Sequence, residues 1–73
     1  MKFLRTPLEG LVEVEAAPYI DERGAFVRAF CVDEFREAGI EFEPVQANLS
    51  TNKVFTLRGL HYQQEPFYEK KLV

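Results

Sequence analysis

Leu11-Val12-Glu13-Val14-Glu15-Ala16 and, a few residues later, Asp21-Glu22-Arg23-Gly24 decide how this chain is read. The first stretch alternates: Val12, Val14 and Ala16 fall on one face of an extended chain, Glu13 and Glu15 on the other. That is the pattern of a half-buried strand, expected over 11–20. The second stretch is turn chemistry, with Gly24 free to adopt a positive φ. Ala25 to Val32, rich in Phe and Val, reads as the returning strand. The two strands and their turn predict a β-hairpin.

Working outward, Asp33 to Ala38 reads as a short helix, with Asp33 placed to cap its first amides. Gly39 suits the left-handed residue beyond its end, and Ile40 could then fold back on Phe35 in a Schellman stop. Val45 to Ser50 alternates again: Val45, Ala47 and Leu49 share one face, and Gln46, Asn48 and Ser50 the other. Thr51-Asn52-Lys53 reads as a turn. Val54 to Gln63 reads as strand-like, anchored by Phe55, Leu57 and Tyr62, and Tyr68 to Val73 as a further extended piece after Pro66. The expected fold class is mainly β with one short helix. Short strands and turns suit a sandwich or barrel whose edges need cover.

Composition limits the rest. The 73 residues suffice for one small domain. A chain near this size buries only about 60% of its unfolded surface. Cys31 is the single cysteine, so no internal disulfide can form, and one Cys with one His cannot build a structural zinc site. Yet the sequence is 47% hydrophobic and 14% aromatic, an excess for a lone domain of this size. Either the chain is a piece of a larger fold, or a partner covers the surplus. The net charge of −3 argues against nucleic acid, which selects a basic surplus. No apolar run approaches the roughly 20 residues needed to cross a bilayer. The N-terminus lacks the apolar core of a signal peptide, so the expected location is cytoplasmic and the sequon at Asn48 is chance.

The chemistry-bearing residues are few. His61, the only histidine, is the natural general base; the alternative is a strand histidine held by a backbone carbonyl. Arg58 lies three residues before it, on the opposite face of a regular strand, and a bulge at Gly59 would bring the two together. Arg58 could then grip a phosphate or carboxylate, or it is an ordinary surface arginine. Lys70 and Lys71 point to opposite sides of an extended chain. An inward one could stabilise an oxyanion; otherwise both are solvated. Gln46 and Asn48 line either a polar pocket or a solvent face. Arg23, in the turn, reads as exposed. Cys31 reads as a small buried apolar residue. No Gly-rich phosphate loop or His-x-His metal pair is present.

Taken in order, Thr6-Pro7-Leu8-Glu9-Gly10, Asp21-Glu22-Arg23-Gly24-Ala25-Phe26, Gln46-Ala47-Asn48-Leu49-Ser50, Leu57-Arg58-Gly59-Leu60-His61-Tyr62-Gln63 and Lys71-Leu72-Val73 resemble the dTDP-4-dehydrorhamnose 3,5-epimerases. Arg58-Gly59-Leu60-His61-Tyr62-Gln63 is the most specific run. The resemblance spans essentially the whole chain but well under half of a usual member. It implies a cupin-like jelly roll of which 1–73 is the N-terminal portion, in a homodimer whose N-terminal strands cross to the partner. It implies an isomerase that needs no metal or cofactor and acts on a dTDP-linked 4-keto-6-deoxy sugar. His61 matches the base, Lys71 the stabiliser of the enolate, Arg58 a contact near the diphosphate, and Gln46 and Asn48 pocket walls. Arg23 and Phe26 would reach the neighbouring subunit's site. The family's Asp partner of the base and its Tyr acid are expected beyond Val73, and Tyr62 and Tyr68 are not their equivalents. Two other readings stay open: a non-catalytic binding or dimerisation module, and a related mono-epimerase or keto-isomerase.

Overall fold

The structure, a computed structural model, describes residues 1–73 and divides them into two units, Met1–Glu43 and Pro44–Val73. The regular structure is mainly β, as two antiparallel hairpins with one short helix.

In the first unit, strand β1 (Lys2–Arg5) pairs with β2 (Val12–Glu15) in the register Phe3 opposite Val14 and Arg5 opposite Val12. The expected alternation holds over β2, with Val12 and Val14 half-buried and Glu13 and Glu15 exposed, but not at Ala16, which lies past the strand and is exposed. On the outer face Lys2 and Glu15, directly opposite, form an ion pair at 3.6 Å. The connecting loop is organised by Thr6, whose Oγ1 accepts from the Leu8 N–H at 3.2 Å and lies 3.0 Å from the Leu11 carbonyl.

The second hairpin joins β3 (Tyr19–Asp21) to β4 (Gly24–Phe26) across a Glu22-Arg23 turn, with Tyr19 opposite Phe26. Gly24 has φ +121, as the turn reading required. Two expectations are corrected here. The long strand over 11–20 is broken at 16–18, where Pro18 has no N–H to give a ladder. β2 therefore pairs backward with β1, a strand not anticipated, and only Tyr19 onward forms the hairpin with β4. The returning strand is also short, ending at Phe26 rather than Val32.

Helix α1 (Val32–Glu37) begins one residue earlier than expected, after an extended Cys31 at the cap position. No side chain caps it, so Asp33 is not the N-cap. Asp33 sits in the first turn instead, where its charge suits the helix dipole, and it pairs with Arg36 at 3.6 Å. The stop is as expected. Gly39 has φ +77; its N–H donates to the Arg36 carbonyl at 2.9 Å, and the Ile40 N–H to the Phe35 carbonyl at 2.8 Å. These are the two bonds of a Schellman motif.

Phe35 is the one buried hydrophobic residue, 3% exposed. Its ring meets Phe3 edge-on at 5.0 Å, Phe30 at 4.9 Å and Phe42 at 5.9 Å, so the core of this unit is an aromatic cluster tying β1 to α1. Edge-to-face and tilted contacts of this kind suit the ring quadrupoles. Glu34, on the same helix, accepts from the Met1 ammonium and from Arg28, each at 3.0 Å. The ammonium first, and Arg28 second, hold its carboxyl below the usual range.

The second unit contains turns but no strand pair. Val45–Ser50, 54–63 and 68–73, expected as strands, form no ladder. Alternation marks a segment that can pair; the pairing itself supplies the hydrogen bonds that hold a strand. The turn expected at 51–53 lies at Lys53–Thr56, closed by the Thr56 N–H to the Lys53 carbonyl at 3.2 Å. Phe55, at φ 63, takes the positive-φ position. Around Pro66 the Phe67 N–H donates to the Gln64 carbonyl at 2.8 Å.

Candidate functional site

The first unit carries two of the expected site residues on one hairpin. Arg23 is in the two-residue turn and Phe26 ends β4. They share an open cleft of about 380 Å³ with Tyr19, Asp21, Gly24 and Ala25. Tyr19 and Phe26, paired across the strands, are 66% and 76% exposed, so their aromatic surface is available to a ligand or a partner. Arg23 is exposed as expected, and it is hydrogen-bonded to Asp21. Its backbone N–H donates to Asp21 Oδ1 at 2.9 Å, and its Nη2 to Oδ2 at 2.6 Å. The guanidinium holds the Asp21 carboxyl below its ordinary value, and Asp21 in turn raises Arg23.

The other expected residues lie in the second unit. Gln46 donates through Nε2 to Asn48 Oδ1 at 3.2 Å, so these two amides share one side of an extended segment, as the alternation required. Arg58 and His61 are exposed. Gly59 between them has φ +120, a conformation L side chains rarely adopt. No ladder surrounds it, so the expected bulge is absent and Gly59 lies in an unpaired segment. A Cβ at Gly59 would lie 3.5 Å from His61 Nδ1, which places the imidazole directly against the glycine backbone. The contact such a Cβ would make is an ordinary one, so it is the φ of Gly59, not space for the ring, that calls for glycine there.

Lys71 is partly exposed and its Nζ lies 2.8 Å from Glu69 Oε1. Lysine and glutamate two apart in an extended chain face the same way, a spacing present in the sequence and overlooked. Lys70 is exposed too. Gln63 supplies a second feature the sequence reading missed. Its Oε1 accepts from the Glu69 N–H at 3.1 Å and its Nε2 donates to the Glu69 carbonyl at 3.0 Å. One side-chain amide thus imitates a strand partner and clasps the Pro66 turn, fixing the segment that leads to Lys71. A glutamine six residues before its partner across a Pro turn carries no periodic signal, so only the structure reveals it.

Chemically, the expected site residues of the second unit supply an imidazole, two cationic groups and a pair of amides, and the first unit has a cation beside an aromatic pair. A family model for dTDP-4-dehydrorhamnose 3,5-epimerase matches residues 5–73. The chain belongs to that family. Three curated relatives named dTDP-4-dehydrorhamnose 3,5-epimerase bear this out. The protein from Methanothermobacter thermautotrophicus is 42% identical over 64 residues, covering 88% of this chain and 35% of the relative. That from Shigella flexneri is 40% identical over 100% of this chain and 41% of its own length. That from Escherichia coli K12 is 34% identical, over 100% and 40%. The chain therefore spans about two fifths of the epimerases it matches. No solved structure matches it. The epimerase match takes in every expected site residue, from Arg23 to Lys71.

Proposed function

We propose that this chain provides the base-bearing portion of an epimerase acting on a dTDP-linked 4-keto-6-deoxy sugar. The observation that carries the reading is the family match over 5–73, which contains the Arg58-Gly59-Leu60-His61-Tyr62-Gln63 run. A carbon beside a ketone loses its proton when a base is near and the enolate oxygen is stabilised. His61 takes that proton. The Lys71 ammonium stabilises the oxygen; its pairing with Glu69 is exposed, and such pairs are worth about 0–1 kcal/mol, so exchange for an enolate costs little. Arg58 meets the diphosphate, and Gln46 and Asn48 form the polar wall of the pocket. Arg23 and Phe26 reach the site of a second copy.

In the same reading, 1–73 is the N-terminal portion of a single cupin-type jelly roll, functioning as a cytoplasmic homodimer with exchanged N-terminal strands. The exposed apolar residues of the second hairpin, Tyr19, Ile20 and Phe26, support a covering partner. No helix is long and apolar enough to cross a membrane. Turnover of the dTDP-4-keto sugar by the full-length protein, compared with His61→Ala and Lys71→Ala, tests the assignment. Each variant is expected to lose at least about a hundredfold in kcat. Wild-type turnover in His61→Ala would remove it as the base. Sugar-nucleotide binding with no turnover in the wild type would favour a binding module.

A further inference from the structure

The Asp21–Arg23 arrangement has a directionality that the exposure of the turn does not require. A guanidinium offers two bidentate edges, one from Nε and Nη2 and one from Nη1 and Nη2. Asp21 takes the first: Nε lies 3.3 Å from Oδ1 and 3.1 Å from Oδ2, and Nη2 lies 2.6 Å from Oδ2. The carboxylate is itself held by the Arg23 backbone N–H at 2.9 Å, so the clamp is built on the hairpin turn rather than on two wandering side chains. Asp21 is largely covered while the Arg23 side chain is 82% exposed. The hydrogen-bonded edge therefore faces the hairpin, and the Nη1/Nη2 edge remains for a ligand. Arg23 and the Tyr19–Phe26 pair line the same cleft.

We propose that Asp21 is a positioning residue for phosphate recognition. By occupying the Nε/Nη2 edge of Arg23, it presents the opposite edge end-on to a phosphate of the bound nucleoside diphosphate. This rests on the assignment of Arg23 to the sugar nucleotide. Two effects of Asp21 oppose each other. Its charge repels a phosphate, but the Arg23 guanidinium lies between the two and is itself exposed, so the high local dielectric weakens that repulsion. Its hold removes the rotamer freedom that a turn arginine would otherwise lose on binding. The second effect dominates, so removing the clamp weakens binding.

The test uses the full-length protein and dTDP as the probe. Asp21→Asn keeps an oxygen for the Arg23 backbone N–H, so the turn survives, while the charged hold on the guanidinium is lost. Kd for dTDP is expected to rise about three- to tenfold, KM for the sugar nucleotide to rise with it, and kcat to stay within about twofold. In an Arg23→Ala background, Asp21→Asn is expected to change Kd no further. A second measurement needs no variant: the Arg23 Nε–H resonance of the wild type should keep its hydrogen-bonded position when dTDP is added. If Arg23→Ala weakens binding but Asp21→Asn does not, or if dTDP releases Nε, the positioning role is overturned and Arg23 keeps its place in the site. If Arg23→Ala binds dTDP like the wild type, the assignment of Arg23 itself fails, and this proposal with it.

Discussion

Replacing Phe35 with alanine should unfold most of the first unit. Phe35 is 3% exposed and is the ring on which Phe3, Phe30 and Phe42 converge. Phe→Ala changes in cores cost about 3–5 kcal/mol, from lost transfer energy and the cavity left behind. The residues of Met1–Glu43, at about 0.05–0.15 kcal/mol each, hold roughly 2–6 kcal/mol in total. The loss is therefore comparable to everything that keeps the unit folded. It also falls on the contact that joins β1 to α1, so both should loosen together. Amide hydrogen exchange read at β1, β2 and α1, with urea titration by far-UV circular dichroism, follows the effect. Protection in all three elements is expected to collapse. Glu13→Ala, at an exposed position of β2, serves as the comparison and should shift stability by no more than about 0.5 kcal/mol. A Phe35→Ala chain that kept wild-type protection and urea midpoint would refute the reasoning, because the unit would then be held by something other than its aromatic cluster.

Three further outcomes follow from particular contacts. Gly39→Ala should destabilise the helix stop by about 1 kcal/mol in urea titration; nothing lies within 4 Å of the added Cβ, so the cost is left-handed backbone strain alone. The first unit should lose stability as pH falls below the ordinary glutamate value of 4.5. The Glu34 carboxyl is depressed in the folded state, so the unfolded chain binds the proton first, and the stabilisation present above that value disappears as pH drops through the folded one. Glu34→Gln should flatten that part of an acid-unfolding curve. Gln63→Ala should speed exchange of the Glu69 amide, because the clasp that protects it is gone, a change on the order of 0.5–1.5 kcal/mol in local opening.

The sequence made the local devices legible where a residue type has a single physical reading. Gly24 and Gly39 each mark a positive φ, and both stand where turn and helix-stop chemistry put them. The Val12/Val14 alternation correctly told inside from outside in β2. What it hid was pairing. β2 could have paired forward or backward, and Pro18 settled the choice by interrupting the longer strand; β1 then became the partner although Lys2–Arg5 shows no alternation of its own. Asp33 looked like the helix cap because Asp is a good cap, but the helix started at Val32 and the residue entered its first turn.

The candidate site was legible as residue types and less so as contacts. Gln46 and Asn48 share a side as their spacing required. The turn marks Arg23 as exposed and the resemblance gives it a place in a neighbouring site, but neither points to Asp21, two residues away in the same turn, a spacing at which Asp commonly meets a backbone N–H. Lys71, expected as the stabiliser of the enolate, is paired with Glu69. The Gln63 clasp crosses a Pro turn, where neither a period of 2 nor one of 3.6 applies.

The most direct test of the functional account is proton exchange at the sugar. The full-length protein is incubated with the dTDP-linked 4-keto-6-deoxy sugar in heavy water, beside His61→Ala, and the sugar nucleotide is weighed by mass spectrometry. Exchange requires the base and the stabilised enolate but not completed epimerisation. Deuterium should enter with the wild type and fall to background with His61→Ala. Equal uptake by both, or none by either, would contradict the assignment of His61 as the base of an epimerase.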